Sequence, residues 1–169
     1  MAYLPESTKQ AIASCELGIR TERTDLATVV FAAGPVNLFT ITGGNIAMFM
    51  LRAEVEVLQL AADAAVPRYR ITTAAPYAVA SVYFCAAATT IASYAIGSSI
   101  TVTGTSLATA ALKQATIGPT LWGVTAPMVL TPGIINVTNA VPMTGGATSI
   151  IRHQLWWFPM DDNSTVVAS

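Results

Sequence analysis

The stretch Ile46-Ala-Met-Phe-Met-Leu51-Arg-Ala-Glu-Val55-Glu-Val-Leu-Gln-Leu60 decides how the fold is read. As a strand it sets Ala47, Phe49, Leu51, Ala53, Val55 and Val57 on one face, with Arg52, Glu54 and Glu56 opposite. That period of two marks a half-buried strand. A helix can also be drawn through Met48, Leu51, Val55 and Leu58. The entry through Gly43-Gly44 and the alternation from Leu51 to Val57 favour the strand, since valine suits a pleated surface.

Towards the C-terminus, residues 61–65 read as a connection and Arg68-Tyr-Arg70-Ile-Thr72 as the next alternating run. If the long strand turns back there, antiparallel pairing sets Glu54 opposite Arg70 and Glu56 opposite Arg68, which would help to fix the register. Towards the N-terminus, residues 36–42 alternate with Val36, Leu38, Thr40 and Thr42 on one side, and Val29-Val-Phe31 reads as a short strand before Gly34-Pro35. Further strands are expected at 79–86, 99–103, 129–131, 133–138 and 150–158, with a last short one at Val166-Val167. Short strands with turn residues at fairly steady intervals indicate an all-β chain. The expectation is a single-domain antiparallel β-sandwich or jelly-roll-like barrel over residues 23–169. Residues 1–22, polar and carrying five charges, read as an N-terminal arm with a short helix over 7–17.

Charge is unevenly placed. Lys113 is the one charged residue between Ile71 and Ile151. Charged residues make up 10% of the chain, against about a quarter in ordinary soluble domains. The neutral stretch is rich in Ala, Thr, Ser and Gly, which suits a subunit whose outside mostly meets other protein. Such a surface on a monomer would expose apolar patches, which mark interfaces, and a homotrimer is expected. With a net charge of −1 and no basic run, nucleic acid is not an expected partner. Residues 74–100 are uncharged and long enough to span a bilayer. They are broken by Pro76, Gly97 and many hydroxyl residues, so no membrane span is expected.

Catalytic chemistry finds little purchase. His153, the single histidine, would share a strand face with Ile151, Leu155 and Trp157, which is the setting of a packed core residue. No nucleophile elbow, zinc-protease helix or phosphate loop occurs, and Thr42-Gly-Gly-Asn45 reads as a turn. Glu54 and Glu56 could be paired carboxylates, but with Arg52 alongside they read more simply as a charged stripe. Asp161-Asp-Asn163 lacks the spaced ligands of a calcium loop and reads as a turn. Cys15 and Cys85 make no disulfide framework, and Cys85 sits in an apolar run. No enzyme activity, cofactor or metal is expected.

The strongest local feature is Trp156-Trp157-Phe158. On a strand, Trp157 faces one way and Trp156 and Phe158 the other. The strand is then either buried on both faces or offers large rings to a partner, for which aromatic anchors are well suited. A carbohydrate platform is a weaker third reading. Trp156, Trp157 and Phe158, with Tyr3 and Leu4 of the arm, are the candidate interface residues.

The order and character of segments from about Val36 onward resemble small virion proteins of tailed bacteriophages. The segments are the strand ending in Thr42-Gly-Gly44, the Val82-Tyr-Phe-Cys-Ala-Ala87 run, Ile91-Ala-Ser-Tyr94 leading to Ile100-Thr-Val-Thr-Gly104, and Leu155-Trp-Trp-Phe-Pro159-Met-Asp-Asp-Asn163. The resemblance implies a capsid decoration (cement) protein, binding the major capsid protein on the outer capsid surface of the virion as a homotrimer. A tail-associated or receptor-binding module of the same particle is the alternative. No catalytic residue is implied.

Overall fold

The computed structural model describes residues 18–57, 65–74, 80–85, 90–102, 112–114, 127–139, 141–143 and 148–169. In chain order the elements are β1 (Ile19–Leu26), α1 (Ala27–Val30), β2 (Val36–Thr42), β3 (Ile46–Val57), β4 (Pro67–Thr73) and β5 (Ser81–Tyr83). They continue with β6 (Ser99–Val102), β7 (Leu112–Gln114), β8 (Met128–Leu130), β9 (Gly133–Asn139), β10 (Ile150–Pro159) and β11 (Thr165–Ala168).

The strands make two antiparallel sheets. Sheet A runs β1-β10-β3-β6-β7, with β8 beside the first part of β3, and sheet B runs β11-β2-β9-β4-β5. The pairing is nested: β1 with β10, β2 with β9, β3 with β6 and β4 with β5. It is the pattern of one long double ribbon. Rolling that ribbon also brings β10 against β3 and β9 against β4, which completes the two sheets. This is jelly-roll topology, and the all-β sandwich expected from the alternation is the observed fold.

The core lies between the sheets. Met48, Leu51, Ala53, Val55, Ile151, Leu155 and Trp157 come from sheet A; Phe39, Ile41, Tyr69, Ile71, Ile135 and Val137 come from sheet B. The stretch 46–57 is a strand, but its inward residues are not all of one parity. Ile46 and Met48 face inward before a β-bulge, and Leu51, Ala53 and Val55 after it. The register steps from Trp156↔Met50 to Trp157↔Met48, so Phe49 is the extra residue and lies outside the core cluster. β2 does the same. Its register steps from Asn37 to Phe39, which puts Phe39 and Ile41 in the core beside Leu38 and leaves Thr40 and Thr42 outward.

Three expectations need correction. First, β3 and β4 do not form a hairpin. They lie in different sheets, because both edges of β3 are already taken by β10 on one side and β6 and β8 on the other. Glu54 faces Arg152, not Arg70, and Arg152 reaches both Glu54 and Glu56. Second, Val29-Val30-Phe31 is no strand: residues 27–30 make one helical turn. Burial outweighs the β preference there, since Ala27, Val30 and Phe31 all enter the core, with Ala27 N–H donating to the Ser149 carbonyl at 2.8 Å. Third, the boundary placed after residue 22 falls inside β1, which pairs with β10 from Ile19 onward. Residues 19–22 belong to sheet A, while the expected helix at 7–17 lies outside the described residues. Among the described residues no helix is long and apolar enough to cross a membrane.

Candidate functional site

The Trp156-Trp157-Phe158 run sits on β10, between β1 and β3. Trp157 takes the core side. It is 4% exposed, and its indole Nε1–H donates to Thr21 Oγ1 at 3.0 Å. Trp156 and Phe158 take the outer side and are half-buried. Phe158 meets Phe49 edge to face, with ring centroids 4.9 Å apart. Met50, opposite Trp156, is buried but outside the core cluster. The bulge at Phe49 is what gathers Phe49, Met50, Trp156 and Phe158 at one end of this outer face. Tyr3 and Leu4 lie outside the described residues.

The rest of that face is ionic. Arg52 and Arg152 lie 3.4 and 3.3 Å from the two carboxylate oxygens of Glu54, and Arg152 also reaches Glu56 at 3.2 Å. Gln154 donates to Glu22 Oε1 at 2.7 Å, and Arg20 lies 3.1 Å from the same oxygen. The two glutamates are thus neutralised by guanidinium groups between strands. That is the charged stripe expected of this face.

Sheet B presents a different outer face. Its five strands contain no Asp or Glu. Arg68 and Arg70 project from β4 on either side of buried Tyr69. The Arg68 guanidinium lies over the Tyr83 ring, 3.8 Å from its centroid, and Arg70 lies 6.0 Å from the same ring. Arg70 Nε donates to Asn136 Oδ1 at 2.7 Å, and Asn136 Nδ2 donates to Thr72 Oγ1 at 3.3 Å.

His153 is fully buried in the core, where the Tyr69 hydroxyl lies 3.3 Å from its Nε2. Burial pulls its pKa down from 6.5 to about 3, with nearby Arg23 acting in the same sense and Asp25 against it. Burial also pushes the Tyr69 phenol up, so both groups are neutral near pH 7. The Arg23–Asp25 pair closes the interior beside β1, with Arg23 also donating to the Asn37 carbonyl of β2.

A second structure-rich corner joins the β2–β3 turn to the β10–β11 turn. Asn45 N–H donates to Asp161 Oδ2 at 2.7 Å, and Ser164 Oγ donates to the Asn45 carbonyl at 2.6 Å. Gly43, with φ +81°, lies directly against the Asn163 carbonyl. The Gly-Gly pair is there for close approach of two turns. Asp161 is likewise occupied in holding them. Among the described residues no group of three or more His, Cys, Asp or Glu could hold a metal ion. Cys85 is buried and free.

Between the sheets, where β8 meets β4 and β5, lies an apolar cleft of about 290 Å³. Ile71, Phe84, Met128 and Leu130 line it together with Val82 and Val129, both of which are exposed. Sequence reasoning missed both this cleft and the stacked arginine face. The first depends on which edge strands the topology places together. The second depends on β4 and β5 pairing, which sets Arg70 opposite Tyr83. No family model, curated protein or solved structure matches this chain.

Proposed function

We propose that this chain is a non-enzymatic structural subunit of a bacteriophage virion, a capsid decoration (cement) protein that seats as a homotrimer on the major capsid protein and stabilises the shell. The observation that carries the reading is the apolar cleft, two of whose lining residues, Val82 and Val129, are exposed. Both valines lie on three-residue strands, Val82 on the edge strand β5, and among the described residues the cleft lining is mostly apolar and holds no charged side chain. Exposed contiguous apolar surface marks an interaction site. The near absence of charge between Ile71 and Ile151 extends the same argument over half the sequence. Jelly rolls recur among viral capsid domains, lectins and cupins. Fold analogy by itself assigns no function, so the weight rests on the surface.

The test is a count and a mass. Light scattering of the purified protein at micromolar concentration should give three times the chain mass, with more than about 2,000 Å² buried per pair of chains. Quantitative mass spectrometry of purified virions should give a copy number approaching that of the major capsid subunit. A monodisperse monomer overturns the trimer, and a few copies confined to the tail overturn the cement role. The second outcome would favour a tail-associated or receptor-binding module, for which the outward Arg68–Tyr83 stack is the suggestive feature.

A further inference from the structure

We infer that the outer face of sheet B is a docking surface for an acidic, extended segment of a partner protein, gripped by Arg68 and Arg70. The chain has six arginines. Arg20, Arg23, Arg52 and Arg152 all stand on sheet A, each with a carboxylate within 3.4 Å. Arg68 and Arg70 have no ion-pair partner among the described residues, and no strand of their sheet supplies one. Two like charges at same-face positions of one strand repel each other, and opposite charges facing them would be favourable.

The pair is held ready for use. Arg68 is stacked on Tyr83, and Arg70 is tied through Nε to Asn136, itself anchored to Thr72. Fixing the stems in this way lowers the entropy lost when the forks close on a ligand. A guanidinium presents paired donors that match a carboxylate. Residues two apart on a strand are roughly 6.6 Å apart and face the same way. An extended segment with acidic residues at alternate positions therefore matches both forks at once. A long phosphate polymer is a poorer fit, because two cations on a chain of net charge −1 supply few phosphate contacts.

The experiment uses the full chain and a short labelled peptide of alternating threonine and glutamate, read by fluorescence anisotropy at low ionic strength. Wild type should bind it, and R68Q/R70Q should weaken binding about tenfold. T138E places a carboxylate across from Arg68 in the register and should weaken binding similarly while leaving both arginines in place. R20Q, on the other sheet, should change nothing, and circular dichroism should show all variants folded. No binding by wild type, an R68Q/R70Q affinity equal to wild type, or tighter binding of inorganic polyphosphate than of the peptide overturns the inference.

Discussion

The Tyr69 hydroxyl, on β4, lies 3.3 Å from Nε2 of His153, on β10, and ties the two sheets together through the middle of the apolar core. The contact has a pH signature. His153 has a folded-state pKa of about 3 against 6.5 when free, so below pH 6.5 the unfolded chain takes up a proton that the folded one refuses. Its contribution to stability is therefore whole above pH 6.5 and declines as pH falls, by up to about 1.4 kcal/mol per pH unit, until about pH 3. Urea unfolding between pH 7 and 4 should show this slope. H153L should flatten it while lowering stability at pH 7, since the Tyr69 hydroxyl is left unpaired. An H153L slope equal to that of wild type would contradict the assignment.

Neighbouring tryptophans should behave unlike each other. Trp157 is packed in the core and bonded to Thr21. W157A should cost about 3–5 kcal/mol. Trp156, half-buried on the outer face, should cost less in W156A. If that face takes part in assembly, W156A should instead show itself in the oligomer mass by light scattering.

Arg152 bridges two glutamates that are themselves part-shielded from water. A double-mutant cycle between E54Q and R152M should give a coupling of about 0.5–1 kcal/mol, falling as salt is raised. The same cycle between Glu54 and Arg70 should give nothing, because the two lie on opposite outer faces. A measurable Glu54–Arg70 coupling would revive the hairpin that the topology excludes.

Two glycines with positive φ offer a matched comparison. Gly34, with φ +95°, has nothing within 4 Å of an added Cβ, so G34A should cost only the backbone strain, about 1–2 kcal/mol. Gly43, with φ +81°, has the Asn163 carbonyl in the way. G43A should lower the melting temperature further than G34A does.

Much of the fold was legible because alternation survives where a strand is flat and covered on one face. β4, β6, β8, β9, β10 and β11 all fall close to where the residues put them. β1 was not legible, since Ile19–Leu26 carries Arg20, Glu22, Arg23 and Asp25 and reads as surface. At the open edge of the sandwich the inward positions can be polar, as the Arg23–Asp25 pair is. The bulges at Leu38 and Phe49 were also invisible, because each shifts the facing of a strand by one residue without any change in composition. In the candidate site, the two faces of β10 were readable from parity alone. The partners of Glu54, Arg68 and Arg70 were not, because they are set by which strands neighbour each other.

The nested pairing governs how the chain comes together in time. Ile19 of β1 meets Trp157 of β10, and Val36 of β2 meets Val137 of β9, so these strands wait for partners about 100 residues or more downstream. Loop closure on that scale must be met before most native contacts repay it. Folding should therefore be slow. Until residue 159 has emerged, β3 lacks the neighbour along its full length, and its apolar face and edge are open to wrong partners. A ribosome stalled before β10 would hold a chain that cannot close, and loss of β10 and β11 should be far more harmful than the short length removed suggests.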